Sequence, residues 1–107
     1  MKFIVGLITV LLLCSALKGE RYVIEGTSMV PTIKNGDLVY IEHKDFFRVK
    51  SNDIIVFKAS YNGTNIIVCH RVVSRNYIFL YTKGDNNLTG DNFTITKEEF
   101  IGKVKTN

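Results

Sequence analysis

Residues 53–73 read DIIVFKASYNGTNIIVCHRVV, and this stretch decides the fold. Two runs rich in Ile, Val and Phe flank Asn62-Gly63. A tight two-residue turn of type I′ needs positive φ at both central positions, which asparagine and glycine tolerate, so the dipeptide between apolar runs predicts a β-hairpin. Its arms are expected over Asp53–Ala59 and Asn65–Val73. In the second arm, strand alternation puts His70 on the same face as Ile66, Val68 and Val72.

Outward from the hairpin the chain keeps alternating between short apolar runs and turns. Arg21–Ile24 is β-prone, and Gly26 and Pro31 then break the pattern. Asn35-Gly36 marks a turn before a strand over Asp37–Ile41. On the other side, Arg75-Asn76 precedes a strand over Tyr77–Thr82. The polar run Lys83–Asn92 leads to a last strand near Phe100–Val104. No segment after residue 20 sustains a helical period, so the chain is expected to be all-β behind one N-terminal apolar helix.

The whole chain has 107 residues, room for one domain. Its formal net charge is +4, with Lys and Arg scattered along it. Scattered basic residues fit a solvated surface or attraction to anionic headgroups better than a nucleic-acid interface, so no nucleic acid is expected as a partner. Cys14 sits in an apolar run and Cys69 in a strand, without CxxC or HxxxH spacing, so neither a disulfide, a metal nor a cofactor is expected.

The run Phe3–Leu17 carries no charge and is bracketed by Lys2 and Lys18. As a helix it covers about 22 Å at ~1.5 Å per residue, short of the ~30 Å hydrocarbon core, although flanking lysines can snorkel. A cleavable signal fits the same residues, with Cys14 and Ala16 as the small positions before a cut. Either reading delivers the remainder to or across a membrane.

Three residue types bear on chemistry. Ser28 lies in the turn after the first strand, where a hydroxyl stands outside the ladder; a turn serine is by itself an ordinary turn residue. The GTSMV context is not the GxSxG elbow, which excludes an α/β-hydrolase. His70 on a dry face is either a satisfied core histidine or a general base. Asp85 and Asp91 in the loop either cap turns or orient a histidine. Serine, histidine and aspartate are what nucleophilic acyl transfer requires, but spacing along a chain does not make them converge.

Several segments together resemble type I signal peptidases, in the branch with a histidine base. Gly26-Thr27-Ser28-Met29-Val30-Pro31-Thr32 is similar to the family's nucleophile box, and Asn35-Gly36-Asp37-Leu38-Val39 to the strand start that follows. Asp53–Phe57 resembles its GDIVVF strand, with Asn52 in place of the glycine. Cys69-His70-Arg71-Val72 resembles the VHRV box, Lys83-Gly84-Asp85-Asn86-Asn87 matches KGDNN, and Asp91 falls at the second acidic position. Ile101–Val104 resembles the closing strand. The set, in order over residues 24–104, is far more specific than any one box.

The resemblance implies a fold of two small antiparallel sheets and a serine endopeptidase that removes signal peptides, cutting after small residues at −1 and −3. Ser28 is then the nucleophile and His70 the base. Asp91 orients the imidazole in preference to Asp85, which braces the loop. It further implies residues 1–20 as a retained membrane anchor, 21–107 as the peptidase domain, and catalysis on the extracytoplasmic or endoplasmic-reticulum lumenal side. Preprotein signal peptides, the lipid bilayer and accessory signal-peptidase subunits follow as partners. Bacterial members assist the oxyanion with a serine hydroxyl two residues before the nucleophile. Here that position is Gly26, which leaves the Ser28 backbone N–H largely alone. Two other readings compete: a β-domain that has lost catalysis and binds a partner, and a self-cleaving repressor-type peptidase. The latter uses a lysine base and a DNA-binding segment, and the apolar start and His70 speak against both.

Overall fold

The computed structural model describes residues 20–42 and 45–105. The expected N-terminal helix lies outside them, as does the anchor assignment. No helix among the described residues is long and apolar enough to cross a membrane.

Seven strands form among the described residues: β1 (Arg21–Val23), β2 (Leu38–Glu42), β3 (Ile54–Tyr61), β4 (Thr64–Arg75), β5 (Leu80–Lys83), β6 (Thr94–Ile95) and β7 (Phe100–Val104). The hairpin is β3–β4, in register from Ile54↔Arg71 to Tyr61↔Thr64, and Asn62 and Gly63 take φ of 51° and 78°. Both positive angles are what a type I′ turn demands.

β3 explains why the sheet has two covered faces. Alternation along Ile54-Ile55-Val56-Phe57 sends successive side chains to opposite sides. Ile54 and Val56 join Met29, Ile33, Val39, Ile41, Cys69 and Val104 in one cluster. Ile55 and Phe57 join Phe46, Val49, Val72, Leu80 and Ile95 in the other. A continuous apolar run is the signature of such a doubly buried strand.

Two small sheets were expected; the strands instead make one antiparallel sheet, ordered β1-β2-β7-β3-β4-β5-β6. The cause is β2. Leu38–Tyr40 pair with β1, while Ile41 and Glu42 pair with Val104 and Lys103 of β7. One short strand thereby joins what would otherwise be separate ladders. Register shifts at Val56/Phe57 and Val72/Ser74 mark where the ladder is interrupted, and such irregularities bend a strand and raise its twist.

β5 begins at Leu80 rather than Tyr77, because Asn76 Oδ1 accepts from the N–H groups of Ile78 and Phe79 at 2.9 and 2.7 Å and holds the segment as a turn. The two-residue β6 and a 3₁₀ turn at Phe46–Arg48 carry too little periodicity to be read from sequence.

β4 pairs with β3 over Thr64–Arg71, and with β5 only from Arg71 onward. On the β5 side, Thr64–His70 therefore have no strand neighbour among the described residues.

Candidate active site

Ser28 stands in the turn between β1 and β2. The base of this loop is tied by Ile24 N–H to Asp37 O at 2.8 Å and Gly36 N–H to Ile24 O at 2.7 Å. Inside it, Ile33 N–H donates to Met29 O at 2.9 Å. Met29 is only 1% exposed and anchors the turn in the core, which leaves its neighbour Ser28 half-buried at the rim.

His70 comes from β4, where it pairs with Ile55 and meets the Phe57 ring edge-on at 6.2 Å. Its Nε2 lies 3.1 Å from Ser28 Oγ, and its Nδ1 lies 2.7 Å from Asp91 Oδ2. A carboxylate only accepts, so Nδ1 carries the hydrogen and the Nε2 lone pair faces the serine hydroxyl. The same Asp91 oxygen accepts from Thr82 Oγ1 at 2.7 Å, and Asp91 N–H donates to Thr82 O at 2.8 Å. Thr82 is 2% exposed on β5, so Asp91 is held by a buried strand residue rather than by its own loop. The imidazole and carboxylate side chains are about a tenth exposed.

Asp85 goes elsewhere. It accepts from Arg71 Nε and Nη2 at 2.9 and 2.8 Å and from Thr32 Oγ1 at 2.6 Å. This forked ion pair ties three separate segments together: the serine turn, β4 and the loop after β5. The Arg71 guanidinium, followed by the Thr32 hydroxyl and the Lys83 charge, holds the Asp85 carboxyl below its usual 3.8, against a burial effect that would raise it. A lowered carboxyl pKa stabilises the fold fully above the unfolded value, and that contribution is lost as pH falls through the folded one. Melting temperature is therefore expected to fall on acidification below about pH 4, with a component that Asp85→Asn lacks. Thermal melts of both proteins across that range check it.

Gly84 is where this loop crosses the site. A Cβ there would lie 2.7 Å from Ser28 O and 3.1 Å from His70 Nε2. The first neighbour is backbone and cannot swing aside, so alanine must push the loop and the serine turn apart. Displacements near 1 Å between reacting groups cost on the order of 10²-fold in rate. Gly84→Ala is accordingly expected to lower kcat by about that factor, measured on a cleaved peptide, while the hairpin core is untouched.

Ser28, His70 and Asp91 open on a groove of about 610 Å³. Tyr22, Val23 and Ile24 line it, together with hairpin residues that include Tyr61, Ile66 and Val68. Cys69 also lines it, but burial, then the Asp85 charge, pushes its thiol up to about 12, so it is no rival nucleophile.

The four candidates named from sequence thus divide. Ser28, His70 and Asp91 form one hydrogen-bonded chain, and Asp85 lies in the adjoining clamp. Arg71, Thr32, Thr82 and Gly84 carried no role in the sequence reading. Arg71, Thr32 and Gly84 were visible inside the quoted motifs, whereas Thr82 becomes significant only once β5 is paired.

Comparison with known proteins identifies the family. The family model described as "Signal peptidase, peptidase S26" matches residues 1–87. The signal peptidase complex catalytic subunit SEC11 of Clavispora lusitaniae is 31% identical over 90 residues, covering 73% of this chain and 52% of that protein. Its counterpart in Debaryomyces hansenii is 31% identical over 84 residues, 74% of this chain and 48% of that protein. That of Komagataella phaffii is 30% identical over 95 residues, 73% and 54% respectively. The chain spans about half the length of the curated relatives it matches. With the family model covering most of its length and the serine, histidine and aspartate of the motifs brought into contact, the chain belongs to the signal peptidase family, peptidase S26.

Proposed function

We propose that this chain is a serine endopeptidase that removes signal peptides from exported preproteins, cutting after small residues at −1 and −3. The observation that carries this reading is the hydrogen-bonded chain Ser28 Oγ to His70 Nε2 and His70 Nδ1 to Asp91 Oδ2, opening on an apolar groove.

Ser28 Oγ attacks the scissile carbonyl carbon while its proton passes to His70 Nε2. The carbonyl π electrons move to oxygen, and Asp91 stabilises the imidazolium so formed. When the intermediate collapses, the C–N bond breaks and His70 returns the proton to the leaving amine. Water then attacks the acyl-serine and gives its proton to His70; the acyl C–O bond to Ser28 breaks, His70 returns the proton to Ser28 Oγ, and the acid product departs. Extended substrate backbone fits the unpaired side of Thr64–His70, where strand addition supplies hydrogen bonds without demanding a particular sequence.

Residues 1–20 serve in this reading as the membrane anchor and 21–107 as the peptidase domain, working on the extracytoplasmic or lumenal face of the bilayer. The relatives are named as catalytic subunits of a signal peptidase complex, which supports accessory subunits as partners here. The test is to incubate the purified chain in detergent micelles with a preprotein and to sequence the products. A single cut after an Ala-x-Ala motif is expected. An intact fold with no cut, with or without accessory subunits, would leave a binding module as the correct reading.

A further inference from the structure

Any acyl transfer at Ser28 must stabilise a negative oxygen, and donors aimed at that oxygen are worth on the order of 10²–10³ in rate. The N–H of the nucleophile itself is the nearest backbone candidate. Among the described residues nothing accepts a hydrogen bond from Ser28 N–H, so it is unspent. Gly26, two residues earlier, has no hydroxyl to add. The direction in which this one N–H points therefore matters more than it would beside a second donor.

Asn86 grips both peptide planes that flank the nucleophile. Its side-chain Nδ2 donates to Thr27 O at 3.1 Å, and its backbone N–H donates to Ser28 O at 2.7 Å. Thr27 O and Ser28 N–H belong to the same rigid peptide unit and point in opposite directions. Val30 N–H also donates to Thr27 O, at 3.2 Å, so the turn and the Asn86 side chain together fix the oxygen from behind and with it the line along which the hydrogen is presented. A hydrogen bond accepted by the carbonyl also polarises the amide and makes its N–H a better donor. The second bond holds the following plane, so Ser28 cannot rotate about either neighbour to relieve the constraint. The two bonds have different chemistry and one source, an exposed residue.

We propose that Asn86 is a positioning residue for the oxyanion site: its side chain orients and polarises the Thr27–Ser28 peptide so that Ser28 N–H meets the developing oxyanion. This inference rests on the proposed peptidase reading and adds to it a residue that touches neither substrate nor His70.

The experiment uses the full chain in micelles with a cleavable preprotein peptide, and the corresponding peptide aldehyde, whose carbonyl forms a tetrahedral adduct with the serine. Asn86→Ala removes the Nδ2 donor, and Asn86→Asp removes it at constant size; both keep the backbone N–H bond to Ser28 O. Each variant is expected to lower kcat by on the order of 10–10²-fold with KM nearly unchanged. Aldehyde affinity should weaken by a similar factor, while binding of the matching peptide alcohol, which forms no oxyanion, stays as in the parent. Asn86→Gln, if its amide reaches Thr27 O, restores part of kcat. Unchanged kcat and aldehyde affinity in an active enzyme would overturn the proposal and leave the peptidase reading intact. Equal losses for aldehyde and alcohol, or a loss in KM alone, would show a merely structural role and also overturn it. A parent chain that neither cleaves nor binds the aldehyde would sink the peptidase reading, and this inference with it.

Discussion

Ser28→Ala is expected to abolish preprotein cleavage, by on the order of 10⁴-fold or more in kcat, with the melting temperature nearly unmoved. The hydroxyl forms one hydrogen bond, to His70 at 3.1 Å, and a neutral bond at a rim contributes about 1 kcal/mol or less to stability. Nothing that shapes the turn depends on it. The buried Met29 side chain and the backbone bonds Ile33 N–H to Met29 O and Asn86 N–H to Ser28 O all survive the substitution. The variant separates chemistry from folding for that reason. More than trace activity in Ser28→Ala means that the nucleophile has been misassigned.

Asp91→Asn carries the second large effect, and its comparison with Asp85→Asn divides the two carboxylates by function. In Asp91 one oxygen takes both His70 Nδ1 and Thr82 Oγ1. Asparagine has two ways to fill the same space. If its oxygen keeps that place, the imidazolium formed during attack loses its counter-charge. If its NH₂ group turns toward Nδ1, the ring must carry its hydrogen on Nε2, and the base can no longer accept from Ser28. Loss of the aspartate in such an arrangement costs up to about 10⁴ in kcat. The size is conserved, so melting should shift little. Asp85→Asn breaks a forked pair with Arg71 and weakens the bond from Thr32. That clamp lies beside the chemistry rather than in it, and its loss is expected to cost roughly 1–2 kcal/mol of stability while leaving measurable turnover. Melting curves and kcat on both variants decide the matter. Asp85→Asn that is dead but fully stable, beside an active Asp91→Asn, would exchange the two roles.

The parts legible in the sequence were those written in local rules. Asn62-Gly63 announced its hairpin because both residues tolerate positive φ, and the two-residue period placed His70 beside Val68 and Val72. Matching motifs brought Ser28, His70 and Asp91 forward together, though they are scattered over the chain. What stayed hidden depends on pairing between distant segments. β2 divides its length between β1 and β7, which turns two expected sheets into one, and no local pattern in Leu38–Glu42 foretells it. Thr82 supports Asp91 only after β5 has paired with β4. Asn86 reaches Thr27 across the loop that Gly84 allows to pass so close, and composition alone gives an asparagine in GDNN no such assignment.

The unpaired side of β4 ends abruptly: among the described residues Thr64–His70 have no strand neighbour there, and at Arg71 the position is taken by Lys83 of β5. An extended peptide laid along that side has about 23 Å to occupy, at ~3.3 Å per residue, before it runs into a strand already in place. It cannot slide further. For a peptide laid there β5 is an end-stop, one residue beyond the imidazole. On the proposed peptidase reading, the bond presented to Ser28 is set by where the guest strand halts, much as a sheet of paper pushed against a guide is cut at one line. On that reading side-chain pockets need only reject bulky residues near that line, because the sheet sets the register.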